Sequence, residues 1–275
     1  MGKKLSLFMA LALTVLSLPV QADYKDVIIA DSPEAYYRFE DPNAGNGCED
    51  TMGNHPAGYL GYITLTPNGW DPSLGKAATF YGTSNGSAVS VSGGNTSGLE
   101  LTTMSIEFLI SAPLGTDYNR IFQHNDGSTA GPGIFEGLGS GEQIGVEGAN
   151  STWYTPYSGT DVFDQGWHQV VVSWAANVDS NTVETWYVDG ALAASRVTAG
   201  LLDYSGLQSW SSPIIGSNGN PGYLYNGFVG TLDEVSIYDY ELSAAQVLDH
   251  YLAIPEPMTI TLLGLGGLLM RRRKQ

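Results

Sequence analysis

Glycoside hydrolysis needs two carboxylates aimed into one cleft, and on a strand that means acids at alternating positions. The chain has 28 acidic residues, but no Glu-x-Asp-x-Glu or Glu-x-Asp-x-x-Glu run. Its most promising acidic strand is Leu232-Asp233-Glu234-Val235, where neighbouring side chains are expected on opposite faces. Glu40-Asp41 and Glu49-Asp50 are adjacent pairs near turns. No nucleophile elbow, zinc helix or phosphate loop is read from the sequence. His168 lies within a strand pattern and reads as a structural histidine, while His55, His124 and His250 share no ligand spacing. The chemistry on offer is binding rather than catalysis.

A sugar site needs aromatic faces beside polar side chains, because rings pack on sugar CH faces while amides and carboxylates read hydroxyls. Trp153, Tyr154 and Tyr157 fall in one loop-like stretch and Trp210 in another, with Tyr223 and Tyr225 close behind. These are the candidate ligand-binding residues, with Trp153, Tyr154, Tyr157 and Trp210 foremost.

Short β-branched or alternating runs between Gly, Asn, Asp and Ser clusters must position these groups, which is the pattern of a β-sandwich. Predicted strands cover 35–40, 77–81, 88–91, 105–111, 120–124, 133–137, 143–147, 168–175, 183–188, 191–197, 214–216 and 230–238. Asp189-Gly190 between two of them predicts a tight hairpin turn with positive φ at both residues. One helix is expected, opening at Ser243 as N-cap with Gln246 as its capping-box partner and Leu242 and Val247 as the hydrophobic staple. Val247, Leu248 and Tyr251 would form its apolar stripe.

Both ends stand apart from this body. Lys3 and Lys4, an apolar run from Leu5 to Leu18 and Val20-Gln21-Ala22 have the form of a secretory leader cut after Ala22. At the other end, Pro255-Glu256-Pro257 precedes an apolar run from Met258 to Met270 and the basic cluster Arg271-Arg272-Arg273-Lys274. As a helix that run spans only about 20 Å, short of the roughly 30 Å hydrocarbon core. The arginines are expected to stay on the cytoplasmic side. Setting aside the six basic residues of the two ends and Glu256 leaves 27 acids against five bases, a net charge of −22. That balance disfavours nucleic acid and anionic membrane surfaces as partners. The single cysteine, Cys48, excludes an internal disulfide.

Two resemblances follow from these residues. The Pro-Glu-Pro motif, glycine-containing apolar segment and basic tail resemble the PEP-CTERM sorting signal of bacterial envelope proteins. That resemblance implies an exosortase-type processing enzyme as partner, transient membrane insertion, and association with exopolysaccharide. The series Trp167-His168-Gln169-Val170, Trp186-Tyr187-Val188-Asp189-Gly190, Ile215-Gly216, Leu232-Asp233-Glu234-Val235-Ser236-Ile237-Tyr238 and Leu242-Ser243-Ala244-Ala245-Gln246-Val247 is similar to bacterial laminin-G-like, concanavalin A-like domains. It implies an all-β jelly roll of two antiparallel sheets over 23–253, with first and last strands adjacent. It implies a structural calcium as the cofactor, with Glu40, Asp41 and Asp233 as the metal candidates once the terminal strands meet. The expected function is an exported, envelope-sorted, non-catalytic module that binds exopolysaccharide or surface glycan. A protein-adhesion scaffold and a divergent glycoside hydrolase or lyase are the alternatives.

Overall fold

A computed structural model describes residues 22–255, apart from 46, 68, 83–85, 93–96, 114–118, 125–130, 137–143, 149–152, 155–160, 206, 209–210 and 221, and apart from the side chains of Trp153, Tyr154 and Asn220. The pairing is antiparallel throughout the two main sheets. The first sheet runs in the order β13 (Ala191–Ala199), β12 (Asn181–Val188), β11 (His168–Ala176), β6 (Met104–Ser111), β17 (Val229–Tyr238), β4 (Ala77–Tyr81) and β3 (Ile63–Thr66). The short β1 (Ala35–Tyr37) lies along the second half of β17, so the first and last strands are neighbours as expected. The second sheet is ordered β10 (Trp153–Tyr154), β9 (Ile144–Glu147), β8 (Gly133–Glu136), β7 (Arg120–Gln123), β14 (Ile214–Ile215), β5 (Ala88–Val91) and β2 (Ala57–Leu60). A small hairpin pairs β15 (Asn218–Asn220) with β16 (Tyr223–Tyr225).

Period-two alternation builds the core between the sheets. Ile106, Phe108, Ile110, Val170, Val172, Trp174, Trp186 and Ile237 from one sheet meet Val89, Val91, Phe122, Ile134, Val146 and Ile215 from the other. Leu232 and Val235 both join this core although simple alternation would oppose them, because β17 carries an extra residue between Asp233 and Ser236. The opposite face of the eight-stranded sheet is also covered. Helices α1 (Tyr24–Ala30) and α2 (Ala244–Ala253) lie over it, burying Tyr24, Ile28, Tyr36, Leu109, Ala253 and Ile254 in one cluster and Val171, Tyr187, Tyr238, Leu242 and Val247 in another.

α2 carries the expected capping box. Gln246 N donates to Ser243 Oγ at 3.3 Å, and Ser243 N donates to Gln246 Oε1 at 3.1 Å. Its buried stripe is Val247, His250 and Ala253, whereas Leu248 is turned outward. α1 is not among the predicted elements, and its β-branched run Val27-Ile28-Ile29 disfavours helix. Asp23 caps it, accepting from Lys25 N, and tertiary packing of Tyr24 and Ile28 decides for helix. Asp189 (φ 50°) and Gly190 (φ 74°) form the predicted tight turn. The expected strand over 35–40 stops at Tyr37, since Phe39 takes φ 58° and leaves the extended region. Among the described residues, no helix is long and apolar enough to cross a membrane.

Candidate functional site

A β-bulge rearranges the acids of β17. Asp233 pairs with Leu109, but Ser236 pairs with Glu107, so β17 spends one extra residue over the same stretch. Glu234 takes φ 53° at that point. The expected opposition of Asp233 and Glu234 is therefore wrong: both side chains lie on the helix-covered face and both are fully buried. Arg38 Nη2 meets Glu234 Oε1 at 3.0 Å and the Tyr36 hydroxyl donates to Glu234 Oε2. Asp233 Oδ1 accepts from Glu234 N at 2.9 Å, while its Oδ2 is buried with no hydrogen-bond partner. Burial, then the Glu234 charge, raises the Asp233 carboxyl well above the ordinary range. Burial also raises Glu234, against the pull of Arg38.

Glu40 is the other acid that presses on Asp233. Its Oε1 accepts from Lys76 N at 2.7 Å, and a cleft of about 140 Å³ lined by Lys25, Arg38, Phe39, Glu40, Glu49 and Thr51 opens beside it. Asp41 belongs to a different cluster, taking Glu49 N at 3.2 Å and the Tyr59 hydroxyl at 2.6 Å. Among the described residues, no three His, Cys, Asp or Glu side chains converge to hold a metal. Calcium takes hard oxygen donors, and Asp233, whose Oδ2 has no hydrogen-bond partner, and Glu40, whose charge acts on Asp233, are the carboxylates that would hold it. An ion there would draw its remaining ligands from backbone oxygens and water, and would neutralise the buried negative charge.

The histidines are held by carboxylates. His250 is fully buried, with Nδ1 2.6 Å from Glu107 Oε2 and Nε2 2.9 Å from Asp31 Oδ2. Glu107 also accepts from the Tyr24 hydroxyl at 3.0 Å and from Gln169 Nε2 at 2.6 Å. His168 bridges Asp189 at 2.8 Å and Asp164 at 3.3 Å across the hairpin end, an orienting role rather than an apolar packed one. Burial lowers His124 to about 4. Cys48 is buried and its thiol is pushed up to about 12, first by burial, which does not suit intermolecular bridging. Gly82-Thr83-Ser84-Asn85-Gly86 does have the Gly-x-Ser-x-Gly spacing. It joins β4 to β5, not a strand to a helix, so it lacks the context of a nucleophile elbow.

Of the predicted aromatic site, Trp153 and Tyr154 have their backbone on β10. Their side chains lie outside the described residues, as do Tyr157 and Trp210 and, in the tail, Glu256, Pro257 and Arg271–Arg273. A different aromatic group is on display. Tyr62, in the turn between β2 and β3, is 67 % exposed, and its ring centroid is 5.0 Å from that of Tyr81. Tyr223 is 70 % exposed and stands 5.6 Å from Tyr225. Both pairs belong to one end of the sandwich: Tyr81 is paired with Val229 at the start of β17, and a Cβ on Gly86 would touch Leu224 of β16. The hydroxyls of Thr64 and Tyr81 are 2.8 Å apart. Exposed Tyr62, Tyr81 and Tyr223, with half-buried Tyr225 beside Tyr223, offer apolar ring faces with polar tips. The sequence signal available for Tyr62 is its place after Gly61 in a two-residue turn between strands, which went unread because β2 and β3 were not predicted.

Residues 83–248 match the model of the family described as the concanavalin A-like lectin/glucanases superfamily, Laminin_G_3. The chain belongs to that superfamily. Among solved structures, it is similar to domain 4 of AbnA, a GH43 extracellular arabinanase from Geobacillus stearothermophilus, in complex with arabinotriose. That match has 20 % identity and a TM-score of 0.58, and covers 80 % of this chain and 98 % of that one. It is also similar to a structure titled for the dependence of cell entry of botulinum neurotoxin type C on two ganglioside molecules, at 14 % identity and TM-score 0.56, covering 83 % of this chain and 52 % of that one. The binding domain of botulinum neurotoxin DC in complex with rat synaptotagmin II matches at 14 % identity and TM-score 0.57, covering 82 % and 52 %. This chain spans about half the length of those neurotoxin domains. A search of curated proteins finds no match.

Proposed function

We propose that this chain is an exported, non-catalytic module that binds neutral glycan, such as an exopolysaccharide of the bacterial envelope, through the tyrosine end of its sandwich. The observation that carries the reading is the pairing of exposed Tyr62 with Tyr81 and of exposed Tyr223 with half-buried Tyr225 at one end of the fold. Structural neighbours bound to arabinotriose or named for gangliosides support it by likeness of fold. The excess of acids argues against anionic polysaccharide. The non-catalytic reading is supported by the burial of Asp233 and Glu234, which keeps both away from any sugar. In this proposal the leader ends at Ala22, residues 23–253 fold as the module, and 254–275 is a sorting tail inserted in the inner membrane until an exosortase-type enzyme removes it. Calcium, held by Asp233 and Glu40, is a structural partner in the same reading. Binding of neutral oligosaccharides to the protein, with Tyr62→Ala and Tyr223→Ala as controls, tests the assignment. A substitution at either tyrosine should weaken binding about tenfold, the equivalent of about 1.4 kcal/mol. Full affinity in both variants places the ligand elsewhere.

A further inference from the structure

We propose, resting on the glycan function above, that the two tyrosine pairs are one site: a single neutral polysaccharide chain lies across both, on a flank of the sandwich whose own residues are uncharged. Charge is unevenly spread along the sequence. Residues 51–70, 77–99 and 204–232 contain no Asp, Glu, Lys or Arg. At the chain's 14 % of charged residues, about ten would fall there by chance. The fold gathers these stretches. β3 pairs with β4, and β4 with the first half of β17; β2 pairs with β5, and β5 with β14. β15 and β16 come from the same stretches. Together they make one flank that runs across both sheets, in a body whose net charge is −22. Arg120, close to Tyr225, is buried and paired with Glu147 at 3.1 Å, so its charge is met from within.

The two pairs share one base. Leu60, two residues before Tyr62, packs on the cluster of Ala88, Ile214 and Leu224, and Leu224 stands between Tyr223 and Tyr225. Tyr81 in turn pairs with Val229. Gly82 follows Tyr81 with φ 56°. A Cβ there would lie 2.3 Å from Val229 Cγ2 and 2.8 Å from Gly227 O. Only a glycine lets the end of β4 approach the link from β16 to β17 this closely. Asn226, next to Tyr225, and Val229, beside Tyr81, are both exposed.

Two aromatic platforms fixed on one base suit a ligand that repeats. One sugar ring stacks on one tyrosine pair. Consecutive sugars of a chain reach both, and the second contact is then made at high effective concentration. The flank is rich in Tyr, Gly, Ser and Asn, residues that combine rigid ring contacts with adaptable hydrogen bonding. A neutral chain needs no counter-charge, and the acidic body repels an anionic one.

Calorimetric titration of the full chain in mild detergent tests the shared site, with neutral arabino- and gluco-oligosaccharides from the monosaccharide up to the hexasaccharide as probes. Affinity should rise at least about tenfold with length, the equivalent of about 1.4 kcal/mol, and then level off with one sugar chain held per protein. In both Tyr62→Ala and Tyr223→Ala the long sugar should fall to the affinity of the short one. Both tyrosines are exposed, so unchanged melting verifies that the variants fold. Added salt should leave the affinity unchanged, since screening acts on charges. Tyrosine-dependent binding with no gain from length overturns the shared site and leaves the glycan function standing. So does a length gain that survives in either variant, or an affinity that falls as salt rises. Absence of binding to all of these sugars overturns the shared site together with that function.

Discussion

Replacing His250 by Ala removes the imidazole that bridges two carboxylates under the helices. Glu107 lies 2.6 Å from Nδ1 and Asp31 2.9 Å from Nε2. The other groups around them are the Tyr24 and Tyr238 phenols and the amides of Gln169 and Gln246. Glu107 is fully buried. Stranding one partner of a buried pair costs about 3–5 kcal/mol. Tyr24 and Gln169 still donate to Glu107 in the variant, which holds the loss near the lower end, about 3 kcal/mol. At about 2–4 °C per kcal/mol for a body of this size, Tm should fall by roughly 6–12 °C. The pH dependence is more diagnostic. Burial opposes the charged ring, but Glu107 and Asp31 outweigh it and raise His250. A raised histidine contributes stability that is complete below its unfolded value of about 6.5 and is lost as pH rises through the folded value. Asp233 and Glu234, raised by burial, also lower stability as pH rises, but they begin near their unfolded values of about 4 and are present in both proteins. The difference in Tm between wild type and His250→Ala should therefore be flat below about pH 6.5 and shrink above it. Thermal unfolding across that range measures it. A Tm unchanged by the substitution, or a difference that does not shrink on the alkaline side, refutes the reasoning.

Three further outcomes are expected. Ile237→Ala, in the core between the sheets, should cost about 2–5 kcal/mol by chemical denaturation; an unchanged midpoint would remove Ile237 from the core. Chelation should lower Tm, since an ion at a hundredfold excess over its dissociation constant contributes about 2.7 kcal/mol. Asp233→Asn should blunt that response, whereas a variant that responds like wild type puts the ion elsewhere. Intact-mass analysis of the native envelope protein should find a start at Asp23 and loss of the tail near Pro255-Glu256-Pro257; abundant full-length chains contradict processing.

The strands were legible where local and global preferences agree. Ala77–Tyr81 and Ala88–Val91 begin and end where their β-branched and aromatic runs do. The Asp189-Gly190 turn and the Ser243 cap are local chemistry, readable residue by residue. What was hidden depends on tertiary structure. α1 exists because Tyr24 and Ile28 find α2 and the sheet, not because Val27-Ile28-Ile29 favours helix. The bulge at Glu234 leaves no mark in the sequence, since glutamate is not a residue that announces positive φ. Asp31, Glu107 and His250 are remote in the chain and meet only when both helices close over one sheet face. Tyr62 was missed with the link that carries the chain from one sheet to the other, because Ala57–Leu60 and Ile63–Thr66 are short and carry weak alternation.

The central claim is that the tyrosine end binds neutral glycan, and calorimetric titration of neutral oligosaccharides into the calcium-loaded protein tests it most directly. Saturable binding that weakens about tenfold in Tyr62→Ala or Tyr223→Ala, with Tm unchanged, is the predicted result. Absence of binding to neutral sugars, or binding indifferent to both tyrosines, would contradict it.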